Sequence, residues 1–357
     1  MFNRRTLLAA SVAAFALTVA PQDRAQGGEP IEVVATFSIL GDMVTRIGGD
    51  HVAVTTLVGP DGDAHVYQPT PADARALSDA EVLFVNGLEF EGWIERLVDA
   101  SEFDGSRIVA TDGIEAIPFE EEDDHHGGEE HAEHGEHDDH AEHAEHAEAE
   151  HKEGEHGHDE HAEADGHDDH AEAEGHHGHD HGAFDPHAWQ SLANGEIYAG
   201  NIAAALAAAD PDNAATYQAN AKAYVAEMQT LDAEILALTE ALPEDKRTIV
   251  TSHDAFGYFA ARYALTFEAP QGLSTESEAS AADVAAIISQ IREEDISAVF
   301  VETITDNRLI EQIARETGAR VGGTLYSDAL SGVDGPAATY LDMMRHNATT
   351  LTQALGS

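Results

Sequence analysis

The sequence predicts an α/β protein in which two lobes with parallel sheets are joined by one long rigid helix. Short apolar runs alternate with amphipathic stretches in both halves of the 357-residue chain, which is typical of parallel sheets covered by helices. Between the halves, apolar side chains from Tyr217 to Leu238 recur every three or four residues, as one helix face does. Residues 120–182 contain almost no large apolar side chains and are predicted to be a disordered insertion in the first lobe.

The first lobe is predicted at 31–210, and each of its apolar runs has the length and the flanking turn residues of a strand. The clearest helix start is Thr70, a capping residue followed by Pro71 at the first helical position. A long helical region begins at about Asn194 and is broken by Pro211. In chain order the lobe reads strand 31–40, helix 41–49, strand 51–59, helix 70–80, strand 81–87, helix 90–101 and strand 106–113.

The connecting helix is predicted at 212–242 and the second lobe at 246–357. The alternation of strands and helices restarts there, so the two halves are predicted to be alike. In chain order the second lobe reads strand 247–253, helix 255–264, strand 265–270, helix 280–294, strand 298–302, helix 308–318, strand 319–326 and a last helix from Pro336 to Leu355.

Residues 1–26 are predicted to be a signal peptide, with a cleavage point that the sequence leaves open. Arg4 and Arg5 precede an apolar run that is too short to span a bilayer comfortably, although a membrane anchor is the alternative. The paired arginines resemble a twin-arginine export signal but also occur in ordinary ones. The chain has no cysteine, so we expect neither disulfides nor a lipid on an N-terminal cysteine. A free protein of the bacterial periplasm is therefore expected.

The chain is strongly acidic, with a formal net charge of −52 at pH 7. About half of this charge is local, because residues 120–182 contain 26 acidic residues and one lysine. The rest of the chain is also acidic, which argues against nucleic acid as a partner, because phosphates are bound by basic patches.

Eighteen of the 23 histidines lie between His125 and His181, inside the predicted insertion. Many imidazole pairs on a flexible chain bind metal weakly one by one and more strongly through effective concentration. We therefore predict accessory metal sites that collect Zn²⁺ for a tighter site; the alternative is a solvated spacer. The accessory histidines are His131, His134, His137, His140, His143, His146, His176, His177, His179 and His181.

Three of the five remaining histidines, and one aspartate, lie just past predicted strands or in a loop that enters a helix. These residues are His65, His187, His253 and Asp328. Ligands bind outside the carboxyl ends of strands in open α/β sheets, and two of the four residues come from each half. The sequence therefore predicts a site between the lobes.

Two alternatives stay open for the carboxylate of this site. In the first, Asp328 only caps a turn and does not bind the metal ion. In the second, Glu302, at the end of a strand, is the ligand in place of Asp328 or contacts the ligands from behind. His51 opens a strand and His346 lies in the last helix, so neither is expected to be a ligand.

Five stretches in the chain resemble successive motifs of the cluster A-I solute-binding proteins, the zinc and manganese receptors of ABC importers. They are GPDGDAHVYQPTPAD, DPHAW, TSHDAFGYFAARYAL, GLSTESEASAADV and LYSDALS, and the resemblance covers the chain from Ile31 onward. It implies that His65, His187, His253 and Asp328 bind the metal ion and that the lobes move little. It also implies an inner-membrane permease as partner. Many zinc receptors of the family carry a His-rich loop where residues 120–182 lie here.

Three imidazoles and one carboxylate suit tetrahedral Zn²⁺, whereas Mn²⁺ prefers more oxygen ligands. The third position is commonly Glu in the related manganese receptors, so His253 favours zinc. We therefore predict a high-affinity periplasmic receptor that captures Zn²⁺ and delivers it to an ABC permease. The alternatives are a manganese receptor of the same family and a periplasmic zinc buffer or metallochaperone that acts without a permease.

An enzyme is not expected. A zinc hydrolase needs an open coordination position and a general base, and the sequence contains neither H-E-x-x-H nor H-x-x-E-H. No G-x-S-x-G or Walker pattern occurs either. We expect a monomer, with the permease and periplasmic metallochaperones as its partners.

Overall fold

The computed structural model describes residues 29–119 and 183–356. The predicted signal peptide at 1–26 and the predicted insertion at 120–182 lie outside the described residues, and so do all ten accessory histidines.

The first lobe contains a four-stranded parallel sheet with the strand order β2-β1-β3-β4. Its edges and faces carry three helices, and the central strand β1 is buried along nearly its whole length, as a parallel strand covered on both faces should be. The elements are β1 (Ile31–Phe37), α1 (Ser38–Gly48), β2 (Val52–Val58), α2 (Pro71–Asp79), β3 (Val82–Val85), α3 (Ile94–Ser101) and β4 (Ser106–Val109).

Two helices follow residue 183 and lead to the second lobe. They are α4 (Leu192–Ala209) and α5 (Ala214–Glu240), separated at Pro211 as the sequence predicts. At 27 residues, α5 is about 40 Å long. It packs against α1 and α4 of the first lobe and against the helices Gly257–Tyr263 and Tyr340–Leu355 of the second, so it lies between the two sheets.

The second lobe repeats the topology of the first, with four parallel strands in the order β6-β5-β7-β8. The predicted fold class, two parallel α/β lobes with a long helix between them, is confirmed. The elements are β5 (Thr248–Val250), α6 (Gly257–Tyr263), β6 (Thr266–Glu268), α7 (Ala281–Glu293), β7 (Ala298–Glu302), α8 (Arg308–Thr317), β8 (Arg320–Leu325) and α9 (Tyr340–Leu355).

The last helix begins four residues later than predicted, at Tyr340 and not at Pro336. Thr339 caps it, because its side chain accepts a hydrogen bond from the backbone N–H of Asp342 at 3.2 Å. The residues before Thr339 turn instead, and the backbone N–H of Ala337 donates to the Ser331 hydroxyl at 3.0 Å.

The apolar stripe of α5 is buried as predicted from Tyr217 to Ile235, but its predicted last member is not. Leu238 is 43% exposed, whereas Thr239 is 1% exposed. The predicted stripe follows a strict seven-residue repeat, and a straight α-helix drifts by about 20° per heptad relative to such a repeat. After three heptads the drift turns Leu238 outward and Thr239 inward. Among the described residues, no helix is long and apolar enough to cross a membrane.

Candidate metal centre

The structure brings the four predicted ligands into one buried cluster. One ligand atom of each residue lies within 4.8 Å of the other three, which is compatible with a single metal ion at the centre. His65 lies in the loop after β2 and His253 in the loop after β5, while His187 precedes α4 and Asp328 follows β8. The second lobe therefore contributes both of its residues from beyond strand ends, whereas the first lobe contributes His65 from beyond a strand end and His187 from the segment before α4.

The three imidazoles present the same atom, Nε2, to the Asp328 carboxylate. The distances are 3.0 Å from His65 Nε2 to Asp328 Oδ2, 3.3 Å from His253 Nε2 to Asp328 Oδ2 and 3.7 Å from His187 Nε2 to Asp328 Oδ1. Three of these atoms are buried and have no hydrogen-bond partner among the described residues: Nε2 of His187, Nε2 of His253 and Oδ1 of Asp328. Buried polar atoms without partners are rare, and a bound cation satisfies all three at once.

Two carboxylates outside the cluster lie behind two of the imidazoles. Asp185 Oδ1 is 2.8 Å from His187 Nδ1, and Glu302 Oε2 is 2.7 Å from His253 Nδ1. A proton on Nδ1 leaves the lone pair of Nε2 for a metal ion, as carboxylates behind ligating histidines do in metal sites. Glu302 faces the rear of His253, so the geometry favours Asp328 as the fourth ligand.

Backbone contacts fix these two carboxylates in turn. Glu302 Oε1 accepts hydrogen bonds from the backbone N–H groups of Ser252 and His253 at 2.8 and 2.9 Å. Asp185 approaches the start of α6 so closely that a side chain at Gly257 would collide with it. The Tyr258 hydroxyl donates to the Asp185 carbonyl at 2.9 Å, which ties the segment before His187 to the second lobe.

Asp328 is positioned from the other lobe. The side chains of Trp189 and Gln190 both donate to the carbonyl of Ser327, at 2.9 and 2.7 Å. These donors lie just after His187, so one short segment of the first lobe carries one ligand and holds the residue before another.

The charged groups of the metal-free cluster shift one another's pKa values by more than burial does. Burial acts to lower the pKa of His253, but the charges of Glu302 and Asp328 outweigh it and hold that pKa well above its usual value. Burial also acts to lower the pKa of His187, and Asp328 and Asp185 outweigh it in the same way. Burial acts to raise the pKa of Asp328, yet the two imidazoles keep it well below its usual range. The carboxylate of Asp328 is therefore ionised and available to a cation.

The other two described histidines lie elsewhere. The ring of His51 packs edge-on against Tyr217, with centroids 6.1 Å apart, and His346 Nε2 lies 3.0 Å from the carbonyl oxygen of Thr324.

Several residues that shape the cluster were not singled out from the sequence. Asp185 had a signal, since it stands two residues before His187 as Asp63 stands two before His65, and each Asp Oδ1 accepts the histidine's backbone N–H at 2.9 Å. Trp189 had no such signal, because its partner Ser327 is 138 residues away in sequence.

The fold and the cluster define a class of protein with two α/β lobes and a buried cluster of side chains of the types that bind divalent metal ions. We call this cluster, formed by His65, His187, His253 and Asp328, the cage. Residues 33–354 match the family described as "ZnuA: Zinc-uptake complex component A periplasmic", and the chain belongs to that family. The family expected from the sequence motifs is thereby confirmed.

Individual relatives are named for different metals. The manganese-binding lipoprotein MntA of Halalkalibacterium halodurans is 31% identical over 332 residues, covering 92% of this chain and 90% of that protein. The iron-binding protein YfeA of Yersinia pestis is 28% identical over 351 residues, covering 98% of this chain and 94% of that protein.

Solved structures show the same fold. The Mn-bound periplasmic metal binding protein from Candidatus Liberibacter asiaticus superposes with a TM-score of 0.68 at 30% identity, covering 90% of this chain and 98% of that one. The periplasmic zinc binding protein TroA from Treponema pallidum gives a TM-score of 0.72 at 24% identity, covering 92% and 99% of the two chains.

Proposed function

We propose that this protein is the periplasmic receptor of an ABC importer that captures Zn²⁺ with high affinity and hands it to an inner-membrane permease. The observation that carries the proposal is the buried convergence of three imidazole Nε2 atoms and one carboxylate between the lobes. Membership of a family described as a periplasmic zinc-uptake component supports the same assignment.

The ligand set favours zinc over manganese. Three nitrogen donors and one oxygen donor match the tetrahedral sites that Zn²⁺ forms, and nitrogen-rich sites bind Zn²⁺ more tightly than Mn²⁺. Asp185 and Glu302 add to this, since they lie behind the rings of His187 and His253 and favour the orientation in which Nε2 faces the centre of the cage.

A manganese receptor is the second candidate. It is supported by MntA, which is named manganese-binding, and by the Mn-bound structure from Candidatus Liberibacter asiaticus. A periplasmic buffer or metallochaperone without a permease is a further alternative. Loss of zinc uptake on gene deletion would support the receptor, and unchanged uptake would support the buffer or metallochaperone.

The location follows from the family, and we propose that the protein is free in the periplasm. MntA is named a lipoprotein, but the sequence here has no cysteine that could carry such a lipid. The accessory histidines at 131–181 are proposed to collect zinc for the cage.

The test is a zinc titration of the mature protein beside a variant that lacks residues 121–181, with a competing chelator and with Mn²⁺ as the second metal. Tryptophan fluorescence reports on the cage specifically, because the chain has two tryptophans and the ring centroid of Trp189 lies 5.4 Å from that of His187.

We expect one tight zinc site that survives the deletion, is lost in His187→Ala and remains in His346→Ala, the control for a histidine outside the cage. Tighter binding of Mn²⁺ than of Zn²⁺ would instead support the manganese receptor. If all tight binding disappeared with residues 121–181, the cage would not be the cargo site.

A further inference from the structure

The three histidines of the cage share a backbone feature, because the N–H of each donates to a carboxylate. The pairs are His65 to Asp63 Oδ1, His187 to Asp185 Oδ1 and His253 to Glu302 Oε1, each at 2.9 Å. In the second and third pairs the same carboxylate also lies behind the ring's Nδ1. His65 is the exception, since its ion pair among the described residues is with Asp328 alone.

Asp63 directs its second oxygen to the other lobe. The hydroxyl of Thr275 donates to Asp63 Oδ2 at 2.6 Å, although the two residues are 212 positions apart in the sequence. Thr275 belongs to the loop between β6 and α7, and Gln271 in the same loop forms a β-bridge with His253. One carboxylate therefore joins the backbone of His65 to the loop that borders His253.

His65 is also the ligand nearest to solvent. It is 7% exposed, whereas the other three ligands are fully buried, and the next residue, Val66, is 46% exposed. Its ring is oriented by an apolar neighbour, Phe90, whose centroid is 4.8 Å away, and not by a carboxylate behind Nδ1. We therefore expect a bound ion to leave the cage on the side of His65.

On the basis of the proposed function, we propose that Asp63 and Thr275 form a latch that positions His65 on the bound ion and sets the rate at which the ion leaves. Asp63 is a positioning residue, since it acts through the backbone of His65 and does not face the cage. Breaking the Thr275 contact removes the tie between Asp63 and the second lobe, while Asp185 and Glu302 still back the rings of His187 and His253.

Two other contacts hold the same loop and define what the latch adds. The indole of Trp93 donates to the carbonyl of Ala64 at 2.8 Å, but both residues belong to the first lobe. The backbone N–H of Asp61 donates to the Leu330 carbonyl of the second lobe at 2.8 Å, four residues before His65. Of these contacts, the latch alone joins the second lobe to the residue that accepts the His65 N–H.

The test measures zinc dissociation from the full chain by stopped flow, with excess chelator and tryptophan fluorescence as the signal. Thr275→Val removes the hydroxyl and keeps the shape, and Thr275→Ser restores the donor. Thr305→Val is the matched control, because the Thr305 hydroxyl also lies in a loop of the second lobe but has no hydrogen-bond partner among the described residues.

Thr275→Val is expected to release zinc about tenfold faster, the lower end of what a hydrogen bond to a charged group contributes. Thr275→Ser and Thr305→Val should stay within about twofold of the wild-type rate. Asp63→Asn keeps the acceptor for His65 but replaces the charged acceptor for Thr275 with an amide donor, from which the Thr275 hydroxyl can accept, so its release rate should lie between those of the wild type and Thr275→Val. The unfolding temperature of the metal-free Thr275→Val protein should fall by no more than about 4 °C, the effect of one lost hydrogen bond, which separates faster release from general unfolding.

A wild-type release rate in Thr275→Val overturns the latch and leaves the zinc cage intact. An equal acceleration in Thr305→Val also overturns it, because the effect would then not depend on the Asp63 contact. If the wild-type protein binds no zinc tightly in the chelator competition, the proposed function fails, and the latch with it.

Discussion

His187 and His253, two of the proposed metal ligands, each have a carboxylate behind the ring. Asp185 and Glu302 lie 2.8 and 2.7 Å from the respective Nδ1 atoms, so the protons are directed to the rear and the lone pairs to the centre. The same carboxylates, together with Asp328, make these imidazoles more basic than free ones. A metal ion at the cage therefore competes with protons.

Zinc affinity at the cage is expected to rise between about pH 6 and pH 8. Despite the opposing effect of burial, the charges of Glu302 and Asp328 raise the pKa of His253 well above its usual value, and the pKa of His187 is raised as well. Metal needs neutral imidazole, so each bound proton must leave first, and fewer protons remain as the pH rises. Fluorescence titrations across this range measure the effect; a constant affinity would contradict it.

The long helix α5 shows how far a residue pattern predicts an element. The alternating spacings of three and four residues predict the helix and its buried face, and Leu231 near its middle is 2% exposed. They do not predict that Thr239 replaces Leu238 in the core, since this depends on whether the helix is straight or supercoiled.

Replacing one buried leucine of α5 should destabilise the protein far more than replacing its exposed counterpart. Leu231→Ala is expected to lower the free energy of unfolding by about 2–5 kcal/mol, because it leaves a cavity between tightly packed helices. Leu238→Ala, the same substitution at a position that is 43% exposed, should cost less than about 1 kcal/mol. Urea unfolding of both variants measures the difference, and equal losses would place Leu238 in the core after all.

For the whole molecule, a metal ion in the cage links two lobes that each supply two ligands. Binding to the folded state alone stabilises it by mass action, by about 2.7 kcal/mol when free zinc is a hundred times the Kd. We expect a corresponding rise in the unfolding temperature by scanning calorimetry.

His187→Ala should abolish this rise, and His346→Ala should keep it, because His346 lies outside the cage. A rise that persists in His187→Ala would mean that zinc stabilises the protein from another site.

The sequence by itself determined the α/β alternation, the long helix and the four residues that meet in the cage. These features have local signals: apolar periodicity, turn residues, and polar side chains just past strand ends, where parallel sheets gather their ligands. The Asp-x-His pairs at His65 and His187 are also visible in the sequence, although their hydrogen bonds are not.

Only the tertiary structure decided which groups surround those four residues. Glu302 lies 49 positions from His253, Trp189 lies 138 from Ser327, and Thr275 lies 212 from Asp63. The first contact arises because β5 and β7 pair within one sheet, and the other two arise because the lobes pack together. A residue's neighbours in sequence carry no record of such a partner. The four proposed ligands could be found from local pattern, whereas the contact of Glu302 with His253 depends on strand pairing within the second lobe and the contact of Thr275 with Asp63 on packing between the lobes.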